Sequence, residues 1–203
     1  MSNTKTKFQI RREETYENLI KFGIVPMMDK GFAKTNLSDI VRAAGYTRGA
    51  FYFHFNSKEE FFLHVLEDHD KRRGSWAEIP YHYNAQETSL ESLLKESIFS
   101  LWQNVYEKPL TGWLLLVIDF YQNAKDIPGV KKRMKQLHEN FEDDLILFLQ
   151  ALKKQGFIDE HIDEKKALWQ LVSLTYGYLV NYYIYDLDDV DIVVNAYAKI
   201  LKN

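Results

Sequence analysis

Cysteine is absent from the 203 residues, which excludes a disulfide framework, a thiolate nucleophile and any sulfur-ligated metal. Proline is scarce. Of the four, Pro80, Pro109 and Pro128 stand between periodic segments, where helix starts belong, and only Pro26 interrupts one. Long apolar runs are missing too: the longest, Trp113 to Ile118, is far short of the roughly 20 residues that span a bilayer. The opening stretch MSNTKTKFQIRREE has no apolar h-region, so a cytoplasmic protein without a membrane partner is expected. Catalytic frames are lacking as well. His54, His64, His69, His82, His138 and His161 are scattered, with no HExxH or comparable metal-ligand pair. His64, Asp68 and His69 share part of one helix surface, a placement commoner for solvated polar residues than for a site. No Gly-rich phosphate loop and no nucleophile elbow occur. The expectation is a non-enzyme with no metal and no cofactor.

What remains is an ordinary globular composition, 46% apolar and 27% charged, enough for one large or two small domains with a real core. Aromatics reach 15%, enough to suggest a cavity or a large interface beside that core. The net charge of −3 conceals an asymmetry. Residues 1–60 carry 10 Lys and Arg against 7 Asp and Glu, whereas 61–203 carry 16 against 22. A basic head on an acidic body suits a protein whose first part meets a polyanion.

Apolar residues recur at three- and four-residue spacing rather than alternating, so the chain reads as all-α with about nine helices. They are expected near 8–30, 37–44, 47–54, 57–75, 87–107, 110–124, 128–155, 163–185 and 188–202, with 74–86 as a loop and Gly156 ending the helix before it. Two short helices around Gly45, 37–44 and 47–54, have the proportions of a helix-turn-helix. Asn36 or Ser38 is placed to cap the first and Thr47 the second. Ile40, Val41, Ala44, Phe51 and Phe55 would form the buried seam.

With Phe51 and Phe55 inward, Arg48, Gly49, Tyr52 and Phe53 fall outward. Glycine in a helix interior costs roughly 1 kcal/mol relative to alanine. It belongs where a groove wall or another backbone must come close. Arginine beside it suits a bidentate contact to guanine in the major groove. Tyr52, Phe53 and His54 add hydroxyl, methyl-contact and phosphate-contact chemistry, and Lys58 opens the next helix where its amides also favour phosphate. The alternative is a bare three-helix packing unit, or a helical module that meets ligand or protein rather than DNA.

The stretch GFAKTNLSDIVRAAGYTRGAFYFHFNSKEEFF resembles the N-terminal domain of TetR-family transcriptional regulators, over about residues 10–66. The resemblance implies a DNA-binding domain over 1–56 and a ligand-binding and dimerisation domain over 57–203. It implies a homodimer on a palindromic operator and a repressor released by a small effector, although some relatives activate. It assigns Thr47, Arg48, Gly49 and Phe53 to bases, Tyr52, His54 and Lys58 to the sugar-phosphate backbone, and Asn36 to the cap of the preceding helix. Pro26 departs from the family pattern and is expected to kink or break the first helix.

In the body the resemblance puts a cavity for a hydrophobic or aromatic effector, with Trp102, Trp113, Phe120, Tyr121, Phe141, Trp169 and Tyr176 as lining. Asp119 lies in the apolar context GWLLLVIDFYQN, where an unpaired buried carboxylate would be expensive. It either binds a cationic or hydrogen-bonding ligand group, helped by Asn123, or sits on the wet edge of its helix. Two helices, 163–185 with a stripe of Leu168, Leu171, Val172, Thr175, Leu179 and Tyr183 and 188–202 with Ile192, Val193, Ala196, Tyr197, Ile200 and Leu201, suit a four-helix dimer bundle, with Gly177 allowing close approach or, equally, a flexible joint.

Overall fold

The computed structural model describes residues 6–72, 76–103, 110–187 and 189–202, and among these all regular structure is helical. The α-helices are α1 Lys7–Gly23, α2 Val25–Lys30, α3 Leu37–Ala44, α4 Arg48–Tyr52, α5 Lys58–Arg72, α6 Leu90–Gln103, α7 Leu110–Ala124, α8 Val130–Lys154, α9 Glu164–Tyr185 and α10 Val190–Leu201. The long helix expected over 8–30 is two. Pro26 sits in the first turn of α2, where its missing N–H is no loss, and α1 stops at Gly23. The segment expected as a loop contains a 3-10 helix, Trp76–His82, because Trp76, Ala77 and Pro80 bury apolar surface. The last turns expected for α5 and α6 fall at 73–75 and 104–107, outside the described residues.

Two compact units emerge, one from residues up to 69 with 115–134, the other from 70–114 with 135–203. In the first, apolar positions of the short helices converge on two phenylalanine clusters. Phe51, Phe55 and Phe61 pack with centroids 5.2–5.6 Å apart. Phe32, Phe62 and Phe120 pack at 4.6–5.6 Å, so α7 completes this core through a residue far along the chain. The seam residues Ile40, Val41, Phe51 and Phe55 are buried and Ala44 is half-buried.

In the second unit the 3-10 helix, α6, α9, α10 and the C-terminal part of α8 share one core that includes Leu93, Phe148, Leu171 and Val193. Lys153 Nζ donates to the Ile162 carbonyl at 2.6 Å and to Glu164 at 2.7 Å, fastening the turn between α8 and α9. Asp163 caps α9 by accepting from Lys166 N–H.

Candidate nucleic-acid interface

The helix-turn-helix is built by local chemistry. The Asn36 side chain accepts from Asp39 N–H at 3.0 Å while the Asp39 carboxylate accepts from Asn36 N–H at 3.1 Å, a reciprocal box that starts α3. Asp39 also receives Lys30 Nζ at 2.6 Å and Arg42 Nη2 at 2.8 Å. The Lys30 hydrogen bond, joined by the Asn36 amide, holds the Asp39 carboxyl below its usual range. Gly45, at φ +74°, ends α3 in the left-handed conformation that favours glycine. Two residues on, Thr47 Oγ1 accepts from Ala50 N–H at 3.2 Å and starts α4.

α4 is shorter than its predicted 47–54, and this changes the meaning of Gly49. It is the second residue of the helix rather than an interior one, so its conformational cost is smaller. It is nonetheless exposed, and a Cβ there would meet only Thr47 Oγ1, at 3.7 Å. Nothing inside the described protein requires a bare backbone at this point. Arg48 is exposed beside it, its Nη2 donating to Ser38 Oγ at 2.7 Å. Tyr52 and Phe53 leave 58% and 56% of their surface to solvent while Phe51 is sealed, so large aromatics face outward at the end of a five-residue helix. Arg12 of α1, which the motif-based reading passed over, stands 5.2 Å from the Phe53 ring centroid.

Two members of the predicted set also have partners within the protein. His54 is half-buried against Tyr16 and Phe55. Burial, and secondarily the nearby Arg12 charge, pushes its pKa below the ordinary 6.5. The unfolded chain therefore takes up this proton more readily than the folded one. Stability from His54 is full above pH 6.5 and is lost as pH falls from there through the folded value. His54→Gln is expected to flatten the acid side of a melting-temperature-against-pH profile, and an unaltered profile would refute this. Lys58, expected on a phosphate, donates two of its ammonium N–H groups to the carbonyls of Phe32 and Thr35, both at 2.9 Å, and lies 4.1 Å from the Phe32 ring centroid. It buckles the turn before α3, and burial pushes its pKa down.

The effector candidates divide between the units. Asp119 does not point into an apolar cavity: its Oδ2 accepts from Ala33 N–H at 3.1 Å and its Oδ1 from Asn123 Nδ2 at 2.9 Å. Gly31 makes room for it, with φ +88° and a site where a Cβ would lie 2.8 Å from Asp119 Oδ2. Asp119→Ala removes the acceptor of Ala33 N–H and is expected to cost about 1 kcal/mol, since water can partly replace it. That lowers the melting temperature by roughly 2–4 °C for a chain of this size, with no change in effector affinity; an unchanged melt refutes it. Phe120 fills the first unit's core, fully buried, and Tyr121 is exposed. In the second unit Trp113 is buried and Phe141 half-buried, whereas Trp169 and Tyr176 face outward from α9. The side chain of Trp102 lies outside the described residues.

Residues 27–65, from α2 into α5 and so across the whole motif, match the family described as bacterial regulatory proteins, tetR family. The HTH-type transcriptional regulator YwcC of Bacillus subtilis (strain 168) is 28% identical over 188 residues, which cover 89% of this chain and 81% of that protein. Together these matches indicate a TetR-family transcriptional regulator. Two solved structures in the same fold lie at low identity. Escherichia coli NemR in its reduced form is 17% identical at a TM-score of 0.72, covering 93% of this chain and 98% of that one. FadR from Bacillus subtilis, in complex with stearoyl-CoA, is 16% identical at 0.64, covering 92% and 97%. The matched residues contain α3 and α4, which form the helix-turn-helix of that family's DNA-binding part.

Proposed function

We propose that this TetR-family regulator represses transcription as a homodimer on a palindromic operator, reading bases with Thr47, Arg48, Gly49 and Phe53. Tyr52, His54 and Lys58 approach the sugar-phosphate backbone, with Asn36 at the cap of the preceding helix. The observation that carries this reading is Gly49: exposed, next to an exposed arginine, and without an internal neighbour that would exclude a side chain. Residues 1–56 are the DNA-reading part and 57–203 serve effector binding and dimerisation.

The effector is a small hydrophobic or aromatic molecule held in the second unit, with Trp102, Trp113 and Phe141 as lining. Trp76 supports a site there. The residue is 5% exposed, its Nε1–H finds no acceptor among the described residues, and its ring centroid lies 6.5 Å from that of Phe141. A buried donor without an acceptor is costly, so an effector bearing a carbonyl or ether oxygen among apolar groups fits this surrounding. The stearoyl-CoA bound by the FadR relative has apolar length and polar oxygens together, in line with that class. Release requires the effector to bind the DNA-competent and DNA-incompetent states unequally, and α5, which runs from residue 58 to 72, is the element through which that difference would reach the head.

Selection of bound sequences from a random duplex pool, with wild type and Arg48→Ala at stated salt, tests the reading. A palindrome enriched by wild type and relaxed in the variant is expected. If wild type enriches nothing, the DNA-reading assignment of α4 is wrong.

A further inference from the structure

Arg12 stands apart from the helix-turn-helix in sequence but not in space. It lies in the second turn of α1, and its guanidinium carbon is 5.2 Å from the centroid of Phe53, the exposed ring just past the end of α4. Its charge also reaches His54, where it is the second cause of the lowered pKa. Both residues around it were assigned to DNA contact, so Arg12 shares their end of the recognition element.

Three further observations bear on what Arg12 does. It is exposed, and no carboxylate of the described residues pairs with it, so its charge is not neutralised internally. The aromatic face holds the guanidinium in place without consuming its N–H donors. And α1 begins KFQIRREE, with Lys7, Arg11 and Arg12 ahead of the first acids and none in the first turn. Cations at that end oppose the helix dipole, so stability of α1 does not account for them. The Thr6–Gln9 capping box fixes where α1 starts and hence where Arg12 points.

We propose that Arg12 is a further DNA-contacting residue, a phosphate ligand supplied by α1 and held over the Phe53 ring. A fixed guanidinium suits a phosphate through paired N–H donors and loses less freedom on binding than an untethered one. The assignment rests on the DNA-reading face given under the proposed function, and it concerns affinity rather than sequence choice, because phosphate contacts carry no base information.

The test is a fluorescence-anisotropy titration of the full chain on its enriched duplex and on a scrambled duplex, across a salt series, for wild type, Arg12→Gln and Arg12→Lys. Arg12→Gln is expected to weaken binding to both duplexes by roughly tenfold, the loss of one charge-assisted contact. Its slope of log affinity against log salt should be shallower by about 0.9, one phosphate contact. Arg12→Lys is expected to keep the slope while losing part of the affinity, and both variants to melt as wild type does. With Phe53 replaced by leucine, Arg12→Gln should cost less than in wild type, because the ring that seats it is gone. An unchanged slope in Arg12→Gln overturns the assignment, as does a loss confined to the enriched duplex, which would make Arg12 a base reader. Wild type that binds no duplex in a salt-dependent way overturns the underlying reading along with it; wild type that binds normally beside an unaffected variant overturns Arg12 alone.

Discussion

Replacing Gly49 by leucine is expected to leave the fold intact and to lower operator affinity by at least about a hundredfold, toward the level of non-specific association. The first half of that expectation comes from the surroundings. A Cβ at Gly49 meets nothing closer than Thr47 Oγ1 at 3.7 Å, an ordinary van der Waals contact, and the backbone there is not in the positive-φ region. Leucine also has the better helix propensity, by up to about 1 kcal/mol in an interior position and less so near a helix start. The melting temperature should therefore hold or rise slightly. The second half comes from what an exposed glycine beside Arg48 is for. A leucine side chain on that face keeps the α4 backbone away from a groove wall, and Arg48 then cannot reach a base edge in bidentate geometry. Anisotropy on the selected duplex, alongside a thermal melt, decides it. A variant that melts normally and binds normally would show that α4 does not approach DNA through Gly49. Gly31 gives the contrasting case: there φ is +88° and Asp119 Oδ2 occupies the space a side chain would need, so substitution strikes the fold itself.

Much of this was legible in the chain. α3 and α7 fall at the predicted residues, the break at Pro26 follows from its missing N–H, and Phe51 and Phe55 are buried as their spacing requires. Periodicity reports which residues face together, and local chemistry reports where a helix begins. Neither reports a partner far along the chain. Asp119 read as a costly charge in an apolar helix, but its donor, Ala33 N–H, lies 86 positions earlier. Lys58 has the composition of a phosphate ligand, and only the folded turn reveals the two carbonyls it serves. Phe120 carried the signature of a cavity wall and is instead core, because α7 delivers it to Phe32 and Phe62. Arg12 was visible only as one of several cations near the start, since the aromatic seat that gives it meaning is 41 residues away by number and adjacent only in the folded chain.

The same limit shaped the dimer reading. α9 is apolar on more than one side, so spacing alone offered Thr175, Tyr183 and the four aliphatic positions Leu168, Leu171, Val172 and Leu179 as the stripe facing a second subunit. Those four are buried within their own unit. The side left open carries Trp169, Tyr176, Val180 and Ile184, exposed at 51, 43, 42 and 60%, a helical face with Gly177 in its middle. Nothing among the described residues lies within 4 Å of a Cβ at Gly177, so, as at Gly49, no internal neighbour requires a bare backbone there. A second copy of α9 crossing at Gly177 would cover the face, and a two-fold axis makes the same patch serve both subunits.

Val180→Glu combined with Ile184→Glu is accordingly expected to yield a folded monomer. Both positions are solvent-exposed in the single chain, so the substitutions cost little there. In a dimer they bring four carboxylates into an apolar seam, each with a desolvation penalty of several kcal/mol, and the dimer dissociation constant should rise by at least about a thousandfold. Sedimentation at micromolar concentration reads this directly. Operator affinity should fall with it, because half-sites about 34–36 Å apart reward two linked recognition helices and a monomer engages one. Binding to a single half-site duplex should be nearly unchanged, which separates loss of pairing from loss of the reading head. A variant that stays dimeric would move the interface away from α9, with the α10 surface around Ile192 the next to test. A monomer that held the full palindrome as tightly as wild type would instead remove the two-half-site geometry from the account of how this regulator finds its operator.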